Sequence, residues 1–395
     1  MGISTRPGDP GRSRLILLVA GEASADLHGS LLVRAIRRRE PATEFWGIGG
    51  EKMEDAGVRI LFPSSEMAVV GLTEVLSRLR LITRAFLELK SILKSGRPDL
   101  LILIDYPDFN LPLARAAKRF HVPVLYYISP QVWAWRPGRV KKLVRRVDRM
   151  AVILPFEKNF YRQRGMAVDY VGHPLLDIVP PDLCREEVLR GLGLSERSPV
   201  LGLLPGSRKE EVTHLLPDMV RAAAILRAHY PDLSCLLPLA STISPDLIEP
   251  IIRPSPVPIH VQRDIYRVLA ACDAALVASG TATLETAIML VPMVIAYRVS
   301  PITFWFARRL VRVPHIGLVN VIAGEEIVPE LIQEQVTPGR LAEEALRFLG
   351  SSQRRENVVD RLRGLRNMLG KGSASDRTAE IAIELMAERP RARTG

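Results

Sequence analysis

The chain has 395 residues, 47% hydrophobic and 25% charged, and its 54 basic against 43 acidic side chains give a formal charge of +11. That composition excludes a disordered or fibrous chain, and the length predicts two domains with separate cores. The positive balance favours anionic partners, whether nucleic acid, phosphorylated substrates or an anionic membrane face. Three scattered cysteines, Cys184, Cys235 and Cys272, with no CxxC, predict buried thiols in a reducing compartment, not a disulfide framework or a zinc site. The run LILLVAG is short, lacks a cleavage-like end and runs straight into Glu22 and Asp26, so it does not read as a signal sequence. MGISTR misses the myristoylation pattern at Arg6. No apolar segment reaches the roughly 18 residues of a spanning helix. The expectation is a protein that is soluble or lies on a membrane without crossing it.

In chain order, residues 1–13 read as a loose leader. RLILLVAG predicts a strand, SADLHGSLLVRAIRRRE a helix, TEFWGIGG a strand and EKMEDAG a helical turn. In the next segment Val75, Leu76, Leu79, Ile82 and Phe86 form one stripe beside Arg78, Arg80, Arg84 and Lys90. That pattern suits a core-facing helix, and equally one lying in a bilayer interface. DLLILID is a continuous apolar strand, as expected where both faces of a parallel sheet are covered. LPLARAAKRF is a helix, PVLYYIS the next strand, and ISPQVWAWRPGR a turn-rich loop after it. Pro180 and Pro181 mark the domain junction. A second series follows: strand VLGLLPG, helix EEVTHLLPDMVRAAAILRAHY, strand LSCLLPL, helix IYRVLAAC, strand AALVASG, helix ATLETAIML and strand PMVIAY. RTAEIAIELMAE is a final helix and RPRARTG a frayed tail. The fold class is therefore α/β, with two tandem Rossmann-like doubly wound domains and a cleft between them. The predicted domains are 14–177 and 178–365, with 366–395 packing back on the first.

Ligands of open parallel sheets bind beyond the carboxyl ends of strands, so the strand-to-helix turns are the places to inspect. In LLPGSRKEE, Gly206 allows a sharp turn, Ser207 starts a helix and Arg208 lies in its first turn, an arrangement suited to a diphosphate. Ser207 with Glu210 also matches the S-x-x-E capping box, which explains those two residues but not Arg208. In ASGTATLE, Ser279, Gly280 and Thr281 form a second helix start suited to an anion. Glu285, one turn on, could accept the two hydroxyls of a ribose or be a solvated first-turn acid. In LIDYPDFN, Asp105 emerges from an apolar strand, an environment that raises a carboxylate toward a general base's working range. Asp108 reads as a plain N-cap, and Ser24 and Asp26 in VAGEASADLHG likewise. Trp133 and Trp135, if extended, point to opposite sides, one packing inward and one offering an indole face to a sugar or acyl chain. Arg136, Arg139, Lys141, Lys142, Arg145 and Arg146 follow, suited to phosphate or membrane. His173 reads equally as structural or ligand-binding. HExxH, GxSxG, Walker, D-x-D and GxGxxG patterns are all missing, which argues against zinc hydrolases, serine esterases, kinases and metal-bound nucleotide-sugar sites.

GEASADLHG, GIGG, GLTEVL, IDYPDFN, SPQVWAWR, LPFEKNFY, VGHPLLD, LLPGSR, SGTATLE, YRVSPITFW and GLVNVIAGEEIVPELIQ occur in one order. Together they resemble the lipid-A-disaccharide synthases over roughly residues 14–390. The resemblance implies an inverting glycosyltransferase of the GT-B type with no metal and no cofactor. It would move 2,3-diacylglucosamine from its UDP conjugate to 2,3-diacylglucosamine 1-phosphate, releasing UDP, at the cytoplasmic face of an inner membrane. On this resemblance Asp105 is the general base for the acceptor 6-hydroxyl, and Arg208 and Glu22 are needed for activity. Ser207, Arg208, Ser279, Gly280, Thr281, Glu285 and Asn320 bind UDP. Ser129, Gln131, Trp133, Trp135 and Arg136 contact the acceptor or its acyl chains, and Val75, Leu76, Leu79 and Ile82 contact the membrane. The family commonly has Gly where Ala25 stands and Pro where Val319 precedes Asn320. Some members exchange C-terminal segments, which leaves a homodimer open. The rivals are another GT-B enzyme acting on a UDP-sugar, such as a UDP-GlcNAc epimerase or a soluble glycosyltransferase, and a basic nucleic-acid-binding protein. The first would not need the tryptophan loop. The second lacks any RRM, KH or helix-turn-helix signature, so no nucleic-acid partner is expected.

Overall fold

The computed structural model describes residues 13–67, 72–135, 137–180, 183–300, 304 and 314–388, with the backbone alone at 72–78, 134, 135 and 137. The chain divides into two units, one formed by residues up to Asp177 together with those from Gly372, the other by Ile178–Lys371. The second boundary lies beyond residue 365, which falls inside the helix Ser352–Met368. Left-handed glycines at 370 and 372 follow that helix and break it from the next.

The first unit is built on β1 (Leu15–Ala20), β2 (Glu44–Gly49), β3 (Arg59–Pro63), β4 (Leu100–Ile104), β5 (Val124–Tyr127), β6 (Arg149–Val152) and β7 (Val168–Tyr170). They form one sheet in the order β3-β2-β1-β4-β5-β6-β7, and every ladder is parallel. The apolar runs of β1 and β4 follow from burial on both faces. Leu17, Val19, Leu101 and Leu103 enter one core, while Ile16, Leu18, Leu100 and Ile102 enter the other. Each such side chain contributes about 1.5–3 kcal/mol of burial.

The helix Ala374–Glu388 belongs to the second of these cores. Ala379, Ile381, Ala382 and Leu385 pack beside Ile36, and Arg38 and Arg39 pair with Asp376 at 2.9 and 2.6 Å. Asp177 accepts hydrogen bonds from the Ala374 and Ser375 N–H groups at 3.2 and 3.0 Å, capping that helix from the end of the same unit.

The second unit carries β8 (Val200–Leu204), β9 (Ser234–Pro238), β10 (Ile259–Gln262), β11 (Ala274–Ala278), β12 (Met293–Tyr297) and β13 (Glu330–Ile332), all parallel, in the order β10-β9-β8-β11-β12-β13. In both sheets the strand order reverses once, between β1 and β4 and between β8 and β11. Those two reversal points are where an open α/β sheet leaves a crevice.

Along the helix Leu72–Lys94, Ile82 and Phe86 are half-buried and pack on the core beside Ala85, Leu89 and Leu93, as the core-facing reading of the stripe expects. Leu79 points outward at 51% exposure, joined two turns on by Leu87 at 56%. The Val75 and Leu76 side chains lie outside the described residues. Among the described residues, no helix is long and apolar enough to cross a membrane. Cys235 and Cys272 are buried, but Cys184 is exposed, because it stands at the start of a short surface helix, Arg185–Gly191.

Candidate functional site

A cavity of about 860 Å³ opens at the reversal point of the second sheet, between the turns that leave β8 and β11. Its walls include Ser207, Arg208, Ser279, Gly280, Thr281 and Glu285, so the structure gathers the two predicted anion turns into one site. Gly206 has φ +107, and a Cβ there would strike the Glu211 carboxylate, so both backbone and space require glycine.

The helix after this turn starts one residue later than expected. Arg208 is its N-cap, in extended conformation, and the helix runs Lys209–Arg227. Capping falls to Glu211, not Glu210, whose Oε2 accepts from the Ser207 and Arg208 N–H groups at 3.2 and 3.4 Å. The Thr242 hydroxyl, on the turn after β9, donates to the Ser207 carbonyl at 2.6 Å and ties the neighbouring loop to the same wall. The Arg208 guanidinium remains 62% exposed and, among the described residues, is held only by a 3.3 Å contact to Glu211, which leaves donors able to engage an anion.

Across the cavity, Gly280 is the N-cap of the helix Thr281–Ile288. Glu285 lies in its second turn and is half-buried, not a solvated first-turn acid. Burial pushes its carboxyl above the usual range, and the Tyr266 hydroxyl, donating to Oε1 at 3.1 Å, opposes that shift. Asn320 takes no part in this site. It is fully buried; its Oδ1 accepts from the Ile327 and Val328 N–H groups, and its Nδ2 donates to the Val328 carbonyl and to Glu330. With all its polar capacity spent inside the fold, it anchors the segment leading into β13 and has nothing left for a nucleotide.

The reversal point of the first sheet brings together Gly21–Glu22, after β1, and Asp105, after β4. Asp105 and Tyr106 both have φ +46, a left-handed pair that costs energy in non-glycine residues. Surrounding contacts hold the turn. The Asp105 carbonyl accepts from the Tyr126 hydroxyl at 2.5 Å and from Asn110 Nδ2 at 2.6 Å, and the Tyr106 hydroxyl donates to the Met67 carbonyl at 3.2 Å. The Tyr106 ring stacks on Phe109 and lies against Gly21, where an added Cβ would sit 2.5 Å from it. The Asp105 side chain is exposed at its surface, yet desolvation by the protein around it, with the nearby Glu22 charge, raises its pKa to about 6. That is a carboxylate both reachable and basic enough to take a proton.

Three capping expectations change. Asp108 is not the N-cap; Tyr106 holds that position, and Asp108 pairs with Arg139 at 2.5 Å. Asp26 caps a different helix, Glu51–Asp55, accepting from the Gly50, Lys52 and Met53 N–H groups at 2.6, 3.2 and 3.1 Å. Ser24 makes no cap, because Glu22 is the N-cap of its helix, Ala23–Arg39. His173 is buried, accepts from the Leu175 N–H at 3.2 Å and is held neutral by burial, with its pKa lowered to about 3. It is structural.

The tryptophan loop is a helical turn, Val132–Trp135, not an extended segment. Trp133 packs inward: its Nε1 donates to Glu157 Oε1 at 3.0 Å, and its ring meets Phe156 edge-on at 4.9 Å. Ser129 is buried, and its hydroxyl shares a 2.5 Å hydrogen bond with Tyr161, so it is committed to the fold and not to an acceptor. Gln131 is exposed. The Trp135 side chain and Arg136 lie outside the described residues.

Glu157 was not foreseen. It is almost fully buried, also accepts from the Leu154 N–H at 3.1 Å, and desolvation raises its pKa to about 7. The visible signal, L-P-F-E at a helix start, suggested only an N-terminal acid. Glu157→Ala would leave the Trp133 and Leu154 donors without partners, at roughly 1–3 kcal/mol each. A lower urea midpoint with a changed tryptophan emission is the expected outcome; an unchanged midpoint would remove Glu157 as the anchor of this loop. Among the described residues, no cluster of three His, Cys, Asp or Glu side chains has a metal-holding arrangement.

With this geometry in view, residues 16–383 match the family model described as lipid-A-disaccharide synthetase. The chain is 50% identical over 377 residues to the lipid-A-disaccharide synthase of Geobacter sulfurreducens, covering 95% of this chain and 98% of that one. Among solved structures it is similar to UDP-GlcNAc 2-epimerase from Neisseria meningitidis bound to UDP-GlcNAc, with TM-score 0.65, 12% identity and coverage of 94% and 100%. The calicheamicin glycosyltransferase CalG4 matches at TM-score 0.63 and 17% identity, with coverage of 95% and 99%. These distant likenesses establish the two-unit α/β fold. The chain belongs to the lipid-A-disaccharide synthase family and is a glycosyltransferase.

Proposed function

We propose that the chain transfers 2,3-diacylglucosamine from UDP-2,3-diacylglucosamine to 2,3-diacylglucosamine 1-phosphate with inversion, without a metal, at an anionic inner-membrane surface facing the cytoplasm. The observation that carries the donor half is the cavity at the second sheet's reversal point, with Arg208, two helix starts and Glu285 in its walls. A nucleoside diphosphate presents the charges and hydroxyls those groups accommodate. On the acceptor side, Asp105 removes the proton of the sugar 6-hydroxyl as that oxygen bonds to the donor's anomeric carbon and the bond to UDP breaks. Arg208 and the helix N-termini stabilise the charge gathering on the departing diphosphate. Non-acylated UDP-GlcNAc is the discriminating control: it should release little UDP in the presence of acceptor, whereas the acylated donor should release it stoichiometrically with product. Epimerisation of UDP-GlcNAc without transfer would contradict the reading.

Membrane attachment is supported by the outward face of the helix Leu72–Lys94, where exposed Leu79 and Leu87 stand among exposed Arg80 and Arg84. Each leucine is worth about 1.5–3 kcal/mol when removed from water. Leu79→Ser with Leu87→Ser is therefore expected to weaken binding to anionic vesicles at least about tenfold. Sedimentation with vesicles checks this, and unchanged binding with an unchanged melting temperature would place the membrane face elsewhere.

A further inference from the structure

We infer that Tyr266 is a positioning residue for the donor nucleotide, fixing the Glu285 carboxylate so that it recognises the ribose hydroxyls. The inference rests on the UDP-sugar reading of the cavity. Tyr266 stands in the first turn of the helix Ile265–Ala271. The Asp264 side chain caps this helix, accepting from the Tyr266 and Arg267 N–H groups at 2.9 and 3.2 Å, so the backbone that carries the ring is fixed. The ring is half-buried, and its hydroxyl donates to Glu285 Oε1 at 3.1 Å from a separate helix, 19 residues away in sequence.

A glutamate side chain has three rotatable bonds, and ordering it on binding costs free energy. Tyr266 meets that requirement before the ligand arrives. A carboxylate offers about four acceptor sites. The tyrosine uses one on Oε1, and among the described residues no hydrogen bond reaches Oε2. The carboxylate therefore faces the cavity oriented, with acceptor capacity to spare, on the same helix whose first turn forms the anion nest. Two vicinal hydroxyls are the donors that fit such a group.

A purely structural tyrosine and a positioning tyrosine differ in what their loss does to ribose recognition. The test measures dissociation constants of UDP and 2′-deoxy-UDP by calorimetry for the wild-type chain and Tyr266→Phe, with circular dichroism to verify the fold. The wild type should prefer UDP by about tenfold or more, the worth of a hydrogen bond to a charged acceptor. Tyr266→Phe should reduce that preference to within about twofold by weakening UDP alone, leaving 2′-deoxy-UDP binding unchanged. Glu285→Gln, which keeps the side chain's shape, should lose the same preference. Retention of the preference in either variant, or an equal loss for both nucleotides, overturns the inference. A wild type that binds UDP with no ribose preference overturns it while leaving the donor reading intact, and a wild type that binds no UDP overturns both.

Discussion

Asp105→Asn is expected to lower kcat by about 10²–10⁴-fold, the usual worth of a positioned general base. KM for the UDP donor should stay nearly constant, because the substitution removes a proton acceptor and not a binding group. The strained turn should survive, since anchors act on the Asp105 carbonyl and on the Tyr106 ring, and the asparagine oxygen can still accept from the Tyr106 N–H as the carboxylate does. The pH profile carries a second signature. With its pKa raised to about 6, Asp105 is an active base only when ionised, so wild-type activity should fall as pH drops through about 6. The residual activity of the Asn variant should lack that limb.

Stability moves the opposite way. A carboxyl whose folded pKa is raised favours the fold when protonated, and that contribution is lost as pH rises from the ordinary carboxylate range through about 6. The Asn variant should therefore melt slightly higher than wild type near neutral pH and match it in acid. The gain is small because the group is exposed and screened by water. Turnover within a few-fold of wild type would remove Asp105 as the base.

Arg208→Ala is expected to reduce kcat/KM by about 10²–10³-fold, the loss seen when a preorganised donor to developing charge is deleted. The Arg208 guanidinium is mostly solvent-exposed and held by one 3.3 Å ion pair, so its removal leaves little unpaired in the fold. The helix it caps keeps its Glu211 bonds, which involve the backbone N–H groups of Ser207 and Arg208. Affinity for UDP should drop without a fall in melting temperature. Arg208→Lys should recover only part of the loss, because an ammonium cannot make the paired bonds of a guanidinium to a diphosphate. Unchanged affinity for UDP would return this turn to a capping role alone.

The places of the candidate sites in the fold were legible in the sequence where the signal is local to one turn. An apolar strand ending in Asp105, and the GSR and SGT turns after strands, stand where a doubly wound sheet binds ligands, and the structure places them at the reversal points. What stayed hidden depends on partners far away in sequence. Asn320 looks like a motif residue, but its role is set by Ile327, Val328 and Glu330 across a loop. Trp133 is directed inward by Glu157, 24 residues on, and Glu285 is held by Tyr266 from another helix. The apolar stripe at 79, 82 and 86 was legible as a core-facing pattern, and Ile82 and Phe86 do pack on the core; the outward position of Leu79 and Leu87 shows only in the packing. The short strands β3, β7, β10 and β13 lie at or beside sheet edges, and their mixed polarity gives them little apolar signal.

The most direct measurement is the mass of the product formed from UDP-2,3-diacylglucosamine and 2,3-diacylglucosamine 1-phosphate in the presence of EDTA. A tetraacylated disaccharide 1-phosphate appearing in step with UDP is the predicted result. UDP-sugar consumed without that disaccharide, or turnover that EDTA abolishes, would contradict the account.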